Sequence, residues 1–190
     1  LSFNGNKTVT AGGGGAVCGD DETLMSHVRH LTTTARQGAA YDHDYVGFNY
    51  RMTNLSAAVG CAQMERLIDL LAAKRRIRDA YDAAIGAFPG ISAFAAPVGV
   101  ESSNWLSGIV VADLGTTDRL RSALEAIGVA SRPFWKPVHL QRPYLGAPTT
   151  SQPVSEWLWQ RIVILPSSAS LREADQDRVI ACLEAELVGA

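Results

Sequence analysis

An α/β fold is what this 190-residue chain predicts, from three features of its apolar pattern. Two short apolar runs, within Ser103–Asp113 and at Arg161–Pro166 ("RIVILP"), have the length and β-branched content of buried strands. Each is followed by a segment whose apolar residues recur at helical spacing. A longer helical stretch, from about Thr53 to Ile85, precedes both and carries Leu55, Val59, Ala62, Leu67, Leu70 and Leu71 as its stripe. With 47% hydrophobic and 19% charged residues, the composition is that of a globular protein with a real core.

Taken in order, residues 8–18 read as a short extended segment, a tight turn through Gly12–Gly15, and a second extended segment. Asp20 is the expected N-cap of the first helix. Asp21 and Glu22 then fall in the first turn, where the helix dipole favours negative charge. That helix runs through Thr34, with His27, Arg29 and His30 toward its end, and residues 37–51 form a loop. The basic run Lys74–Arg78 lies inside the long helical stretch and reads as a solvated face. Beyond Pro89 comes the strand within Ser103–Asp113, then a helix opened by Thr116 and Thr117, with Leu120, Leu124 and Ile127 inward and Gly128 as its stop. Pro133, Pro137, Pro143, Pro148 and Pro153 punctuate a loop over 132–153. After the second strand, Ser170 and Glu173 form a capping box for the last helix. The expected division is residues 1–88 and residues 89–190, the latter a small βα…βα layer domain.

Charge and composition narrow the function. A net charge of −2 supplies no field for nucleic acid, and no segment approaches the roughly 18 uninterrupted apolar residues of a membrane span. No charged n-region with an apolar h-region stands at the start, so a cytoplasmic protein is expected. Cys18, Cys61 and Cys182 are odd in number and lack partners at metal-ligand spacing. They read as buried thiols in a reducing compartment, and no metal is expected. Trp105, Trp135, Trp157 and Trp159 read as core or domain-packing residues rather than a platform on which bases stack.

The chemistry concentrates at the start. Lys7 follows Ser2 by five positions and precedes four consecutive glycines. Small hydroxyls and glycines let backbone approach a phosphate and leave N–H groups free to hold it. A lysine held there can form a Schiff base when its surroundings lower its pKa. By residue type alone, a solvated lysine beside a flexible turn describes the same stretch. The glycines match neither a phosphate-binding loop ending in Lys-Ser/Thr nor a dinucleotide fingerprint.

The run "SFNGNKTVTAGGGGAV", Ser2–Val17, followed by "YDHDYVGFNYRMTNLSAAVGCAQMERL", Tyr41–Leu67, resembles the DegT/DnrJ/EryC1/StrS sugar-nucleotide aminotransferases. These are pyridoxal-phosphate enzymes of aminotransferase fold type I. The likeness continues through "SRPFWKPVHLQRPY" and "ILPSSASLREADQDRVI". It implies that Lys7 is the cofactor lysine and that Ser2 contacts the cofactor phosphate. By the same resemblance, Asn49, in the hallmark segment Gly47–Thr53, would reach the cofactor phosphate of the neighbouring subunit in a homodimer whose active site lies at the subunit interface. Arg51 pairs either with substrate phosphate or with Asp42 or Asp44, and His43 is a loop hydrogen-bonder. Trp135 and His139 are candidate substrate contacts. The form "FNGNK…GGGG" is most similar to the branch acting on UDP-linked 4-keto-6-deoxy sugars, of the legionaminic acid and bacillosamine type, that serve bacterial surface glycans such as lipopolysaccharide. The implied reaction moves an amino group from an amino acid, glutamate by custom, to the sugar C4. A lysine at position 7, rather than histidine, argues for transamination over dehydration.

Family members are about twice as long. The aspartate that pairs with the pyridine nitrogen, the aromatic residue that stacks on the ring, and most of the central sheet have no counterpart here. The resemblance therefore implies the C-terminal portion of such an enzyme: part of the large domain plus a small α/β C-terminal domain, with apolar surface left exposed. The alternative is a non-catalytic fragment, or a half that depends on a partner chain.

Overall fold

The computed structural model describes residues 1–86, 88–94 and 96–188. Its contacts divide the chain into two compact units, Leu1–Leu70 and Leu71–Ala190.

The first unit opens with a hairpin-like loop. Ser2 and Gly15 face each other as an isolated antiparallel bridge, Leu1 and Ala16 exchange backbone hydrogen bonds, and Phe3 N–H donates to the Gly14 carbonyl. The extended segments expected within 8–18 therefore form no strand and do not pair with each other; the second meets residues 1–3 instead, with Gly15 bridged to Ser2. Helix α1 spans Glu22–Thr32. Its N-cap is Asp21, one residue later than expected, whose carboxylate accepts from Leu24 N–H at 2.9 Å. Within the expected loop lie two short strands, β1 (Arg36–Gln37) and β2 (Asp42–His43), paired antiparallel. The single long helix of the sequence reading is two helices, α2 (Asn54–Glu65) and α3 (Leu67–Ile85), broken at Arg66. Thr53 caps α2 by accepting from Ser56 N–H at 3.2 Å. Neither α1 nor α2 carries a buried residue.

The second unit holds a three-stranded antiparallel sheet in the order β3 (Ile91–Ala93), β4 (Ser107–Val111), β5 (Ile162–Leu165). The ladder sets Ile109 opposite Val163 and Ser107 opposite Leu165. Ile109, Val111, Val163 and Leu165 enter one core with Ile77, Tyr81 and Ile85 of α3. Leu120 and Leu124 of α4 (Leu114–Ala126) and Val179 and Leu183 of α6 (Glu173–Val188) complete it. Helix α4 ends as its glycine suggests: Gly128 N–H donates to the Glu125 carbonyl and Val129 N–H to the Leu124 carbonyl, the paired bonds of a Schellman closure. It begins earlier than expected, on Asp113, whose carboxylate accepts from Thr116 N–H at 2.6 Å. Between β4 and β5 the proline-rich loop gives way to a helix absent from the sequence reading, α5 (Pro153–Arg161), with Pro153 in its first turn. Helix α6 starts at Glu173, but Ser170 does not make the expected capping box. Its hydroxyl meets that of Ser168 at 3.0 Å.

The contact boundary falls inside α3, where the sequence reading divides the chain at 88/89. The reason is that Ile77, Tyr81 and Ile85 belong to the core of the second unit. Two expectations about side chains are overturned, the first in part. Within the basic run Lys74–Arg78, Arg75 and Arg76 are exposed as expected, but Lys74 and Arg78 are buried, 6% and 7% exposed. Lys74 Nζ donates to the Trp105 carbonyl at 3.0 Å and to the Ser167 carbonyl, while Arg78 pairs with Asp82 at 2.7 Å. Burial holds the Lys74 ammonium below the ordinary lysine range. Nor are the cysteines buried thiols, since Cys18 and Cys61 are exposed and Cys182 is half-buried.

Candidate active site

Lys7 and Ser2 share one hairpin. The bridge at Ser2–Gly15 closes its base, and a tight turn in which Lys7 N–H donates to the Asn4 carbonyl at 3.0 Å shapes its far end. Ala11 N–H returns to the Phe3 carbonyl at 2.9 Å, and Ala11 is buried. The pairing demands glycine at position 15, because a Cβ there would stand 2.5 Å from the Leu1 carbonyl oxygen. Ser2 is exposed and Lys7 half-buried. Beside Lys7, the Thr8 hydroxyl is shut away from solvent and has no hydrogen-bond partner among the described residues. A buried hydroxyl left unpaired costs about 1–3 kcal/mol, so this loop holds a polar atom with unmet capacity next to its lysine. A hydroxyl-bearing, glycine-rich loop with an amine at its end has the donor set for a phosphorylated aldehyde.

The hallmark segment Gly47–Thr53 lies in the same unit on a different strand of chain. Phe48 N–H donates to the Leu31 carbonyl at 2.7 Å, Thr34 N–H to the Phe48 carbonyl at 3.0 Å, and Tyr50 N–H to the Thr32 carbonyl at 3.0 Å. Asn49 thereby faces Thr33 as an antiparallel bridge just past the end of α1. The crossing is so close that a Cβ on Gly47 would sit 2.2 Å from the Thr34 carbonyl carbon, which explains the glycine of the hallmark. Thr34 and Ala35 take positive φ values of 69° and 52° to make this approach. The asparagine and Arg51 are both exposed. Of the two acids proposed as partners of Arg51, Asp44 is engaged elsewhere. It accepts from His30 Nε2 at 2.6 Å and Gln37 Nε2 at 2.7 Å, bonds that hold its carboxyl below the usual carboxylate range. His43 bonds the Thr34 carbonyl through Nδ1 at 2.8 Å, which is the loop role expected of it.

Trp135 and His139 belong to the second unit, where they line one pocket of about 560 Å³. His139 Nε2 lies 3.0 Å from Glu156 Oε1 of α5, so the helix that the sequence reading missed orients this imidazole. Trp135 stacks on Trp105 at 5.4 Å between ring centroids. Of the four tryptophans expected in the core or in packing, Trp105 and Trp159 are half-buried, but Trp135 is 56% exposed and Trp157 45%. Trp157 instead carries the Arg161 guanidinium over its ring, 4.6 Å from the centroid.

No group of histidine, cysteine, aspartate and glutamate suited to a metal ion occurs among the described residues, and none of their helices is long and apolar enough to cross a membrane.

Residues 1–184 match the DegT/DnrJ/EryC1/StrS aminotransferase family. A GDP-perosamine synthase from Caulobacter vibrioides is 36% identical over 193 residues, covering 99% of this chain and 52% of its own length. Among solved structures, the aminotransferase TlmJ from Streptoalloteichus hindustanus superposes with a TM-score of 0.91 at 24% identity, over 99% of this chain and 51% of that one. Spr1654 from Streptococcus pneumoniae, solved in both a PLP-form and a PMP-form, superposes with a TM-score of 0.85 in each, at 24% and 23% identity, over 99% of this chain and about half of its own. The chain thus spans about half the length of the relatives it matches. The likeness in fold is to pyridoxal-phosphate aminotransferases of fold type I.

Proposed function

Because this chain belongs to the DegT/DnrJ/EryC1/StrS aminotransferase family, we propose that it carries the cofactor lysine of an enzyme that moves an amino group onto a nucleotide-linked keto sugar. The observation that carries this reading is the first hairpin. Lys7 and Ser2 sit on one closed loop, beside a buried threonine hydroxyl that has no partner among the described residues.

Pyridoxal phosphate, the cofactor of this family, would supply an aldehyde for the amine and a ring that withdraws electrons from the bond being broken. Ser2 would hold its phosphate and Lys7 Nζ its aldehyde carbon. With the donor amino acid bound, Lys7 Nζ takes the proton from the α carbon. In the return half of the reaction it delivers a proton to the sugar carbon that receives the amine. Asn49 and Arg51, both exposed, suit contacts to groups brought by another subunit of a homodimer or by the substrate phosphate. We place glutamate as donor, the C4 ketone of a 4-keto-6-deoxy sugar as acceptor, and surface-glycan synthesis in the cytoplasm as setting. UDP is the nucleotide suggested by the "FNGNK…GGGG" form, whereas the name of the Caulobacter relative carries GDP. A competition between UDP- and GDP-linked keto sugars decides between them.

One observation favours a second reading, in which the cofactor pocket is completed by further polypeptide. The first unit leaves Tyr41, Val46, Leu55 and Ile68 more than 70% exposed, while Ala11 and Ala35 are its buried apolar residues.

The test is spectroscopic. After addition of pyridoxal phosphate, the purified protein should show the visible band of a lysine-bound cofactor, and Lys7→Ala should lack it. A wild-type protein without that band, alone or as an oligomer, overturns the reading for this chain. So does a Lys7→Ala variant that retains it.

A further inference from the structure

The close crossing that carries Asn49 holds two residues in a conformation that neither favours. Thr34 and Ala35 stand consecutively in the left-handed region, at φ 69° and 52°, without a glycine between them. For a β-branched residue such as Thr34 this is an outlier, and such strain persists only where the surroundings over-determine it. Ala35 is wholly buried, and the neighbouring Thr33 is the bridge partner of Asn49. His30 is the residue at which the restraints meet. Its carbonyl accepts the Ala35 N–H at 2.9 Å and shares the Thr33 N–H with the Arg29 carbonyl, each at 3.2 Å. Its side chain reaches the opposite way, with Nε2 2.6 Å from Asp44 Oδ1. The other Asp44 oxygen accepts from Gln37 Nε2 at 2.7 Å. A carboxylate only accepts, so the imidazole donates through Nε2.

Only Tyr45 and Val46 separate Asp44 from Gly47, where the close crossing begins. At 3.8 Å per residue, an anchor at Asp44 limits where the chain can enter the hallmark segment. The Tyr45 ring sets that path further, edge-on to His27 at 5.6 Å and to His30 at 6.3 Å between centroids. The backbone of His30 thus holds the strained side of the crossing, while its imidazole holds the chain arriving against it. We propose that His30 is a positioning residue: by pairing with Asp44 it sets the crossing of Thr33–Ala35 with Gly47–Asn49, and so the direction in which Asn49 is presented. That Asn49 then meets a cofactor phosphate rests on the functional reading above.

The full chain is compared as wild type, His30→Ala, His30→Gln, Asp44→Asn and the double variant His30→Ala with Asp44→Asn. Without cofactor, the side-chain amide resonances of Asn49 should move in His30→Ala and in Asp44→Asn. His30→Gln, whose amide nitrogen can replace Nε2 as donor to Asp44, should restore them. Amide exchange at Thr34 and Phe48 should quicken about three- to tenfold in His30→Ala, the worth of one hydrogen bond. Because the two side chains act as a pair, the double variant should be no worse than either single one. With ligand, His30→Ala should bind pyridoxal phosphate about three- to tenfold more weakly and pyridoxal, which lacks the phosphate, unchanged. A general loss of structure would weaken both. The proposal is overturned if Asn49 stays fixed in His30→Ala, if His30→Gln does not restore it, or if the two single effects add. It is equally overturned if the two ligands weaken alike, or if pyridoxal phosphate, bound by wild type, is bound as well by His30→Ala. A cofactor band with an unresponsive Asn49 sinks this inference alone. An Asn49 that responds as stated, in a wild type that binds neither ligand, sinks the functional reading and leaves the positioning role standing.

Discussion

Replacing Gly47 by alanine tests whether the hallmark segment is held by close backbone packing. The new Cβ would stand 2.2 Å from the Thr34 carbonyl carbon, 2.5 Å from Ala35 N and 2.6 Å from the Thr34 oxygen. Ordinary Cβ contacts begin near 3.4 Å, so one chain segment must move by more than 1 Å. All three atoms are backbone, and none can rotate away. The shift separates Phe48 from Leu31, Thr34 from Phe48, and Tyr50 from Thr32, three backbone hydrogen bonds of 2.7–3.0 Å. At about 0.5–1.5 kcal/mol net for each, the local cost is about 2–4 kcal/mol. Every 1.4 kcal/mol is a factor of about ten, so amide exchange at Thr34, Phe48 and Tyr50 should accelerate by roughly 30- to 1000-fold. The assay is residue-resolved hydrogen exchange on wild type and Gly47→Ala, with the amides of Ser107–Val111 as the internal standard expected to stay unchanged. Unaltered protection at Thr34 and Phe48 in the variant would refute the packing argument. It would also detach Asn49 from the anchoring described for it.

Two further predictions concern the second unit. Leu120→Ala empties a fully buried site in its core and should destabilise the protein by about 2–5 kcal/mol. A urea-midpoint shift equivalent to less than about 1 kcal/mol would show that α4 is not packed as described. Tyr81 donates its hydroxyl to the Pro166 carbonyl at 2.9 Å, and burial raises its phenol above the ordinary range. With the folded pKa above the unfolded one, this stabilisation is complete below about pH 10 and declines as pH rises beyond it. Tyr81→Phe should therefore be less stable than wild type at pH 8, by about 0.5–1.5 kcal/mol for the lost bond, with the gap narrowing toward pH 11. Paired urea titrations at the two pH values check it, and a gap that widens with pH contradicts the sign.

What could be read from the residues was local or carried by motif. Leu120, Leu124 and Gly128 mark α4 because spacing and stop lie within a few turns of one another. The Lys7 loop and the Gly47–Thr53 segment stand out by residue order alone. The break at Arg66 left no trace, since Leu67, Leu70 and Leu71 continue the stripe across it. Helix α5 was hidden by the density of prolines before it, although Pro153 occupies the one helical turn where proline is tolerated. The burial of Lys74 depends on carbonyls of Trp105 and Ser167, 31 and 93 positions away, which no local pattern encodes. The exposure of Trp135 and Trp157 has the same cause. Large apolar side chains predict a core, yet Trp135 and Trp159 surround a hollow whose existence depends on the path of the whole 132–153 loop.

The break at Arg66 also bears on how this protein can be taken apart. Since the two units meet within α3, a cut at their contact boundary would leave each piece with a stump of helix and deprive the second of the turn preceding Lys74. Severing the chain at Arg66 instead respects the residue at which the helical run is already interrupted between α2 and α3. A polypeptide beginning there retains all of α3, with Lys74, Ile77 and Tyr81 beside the sheet they serve, and is the natural piece for obtaining the pocket in isolation.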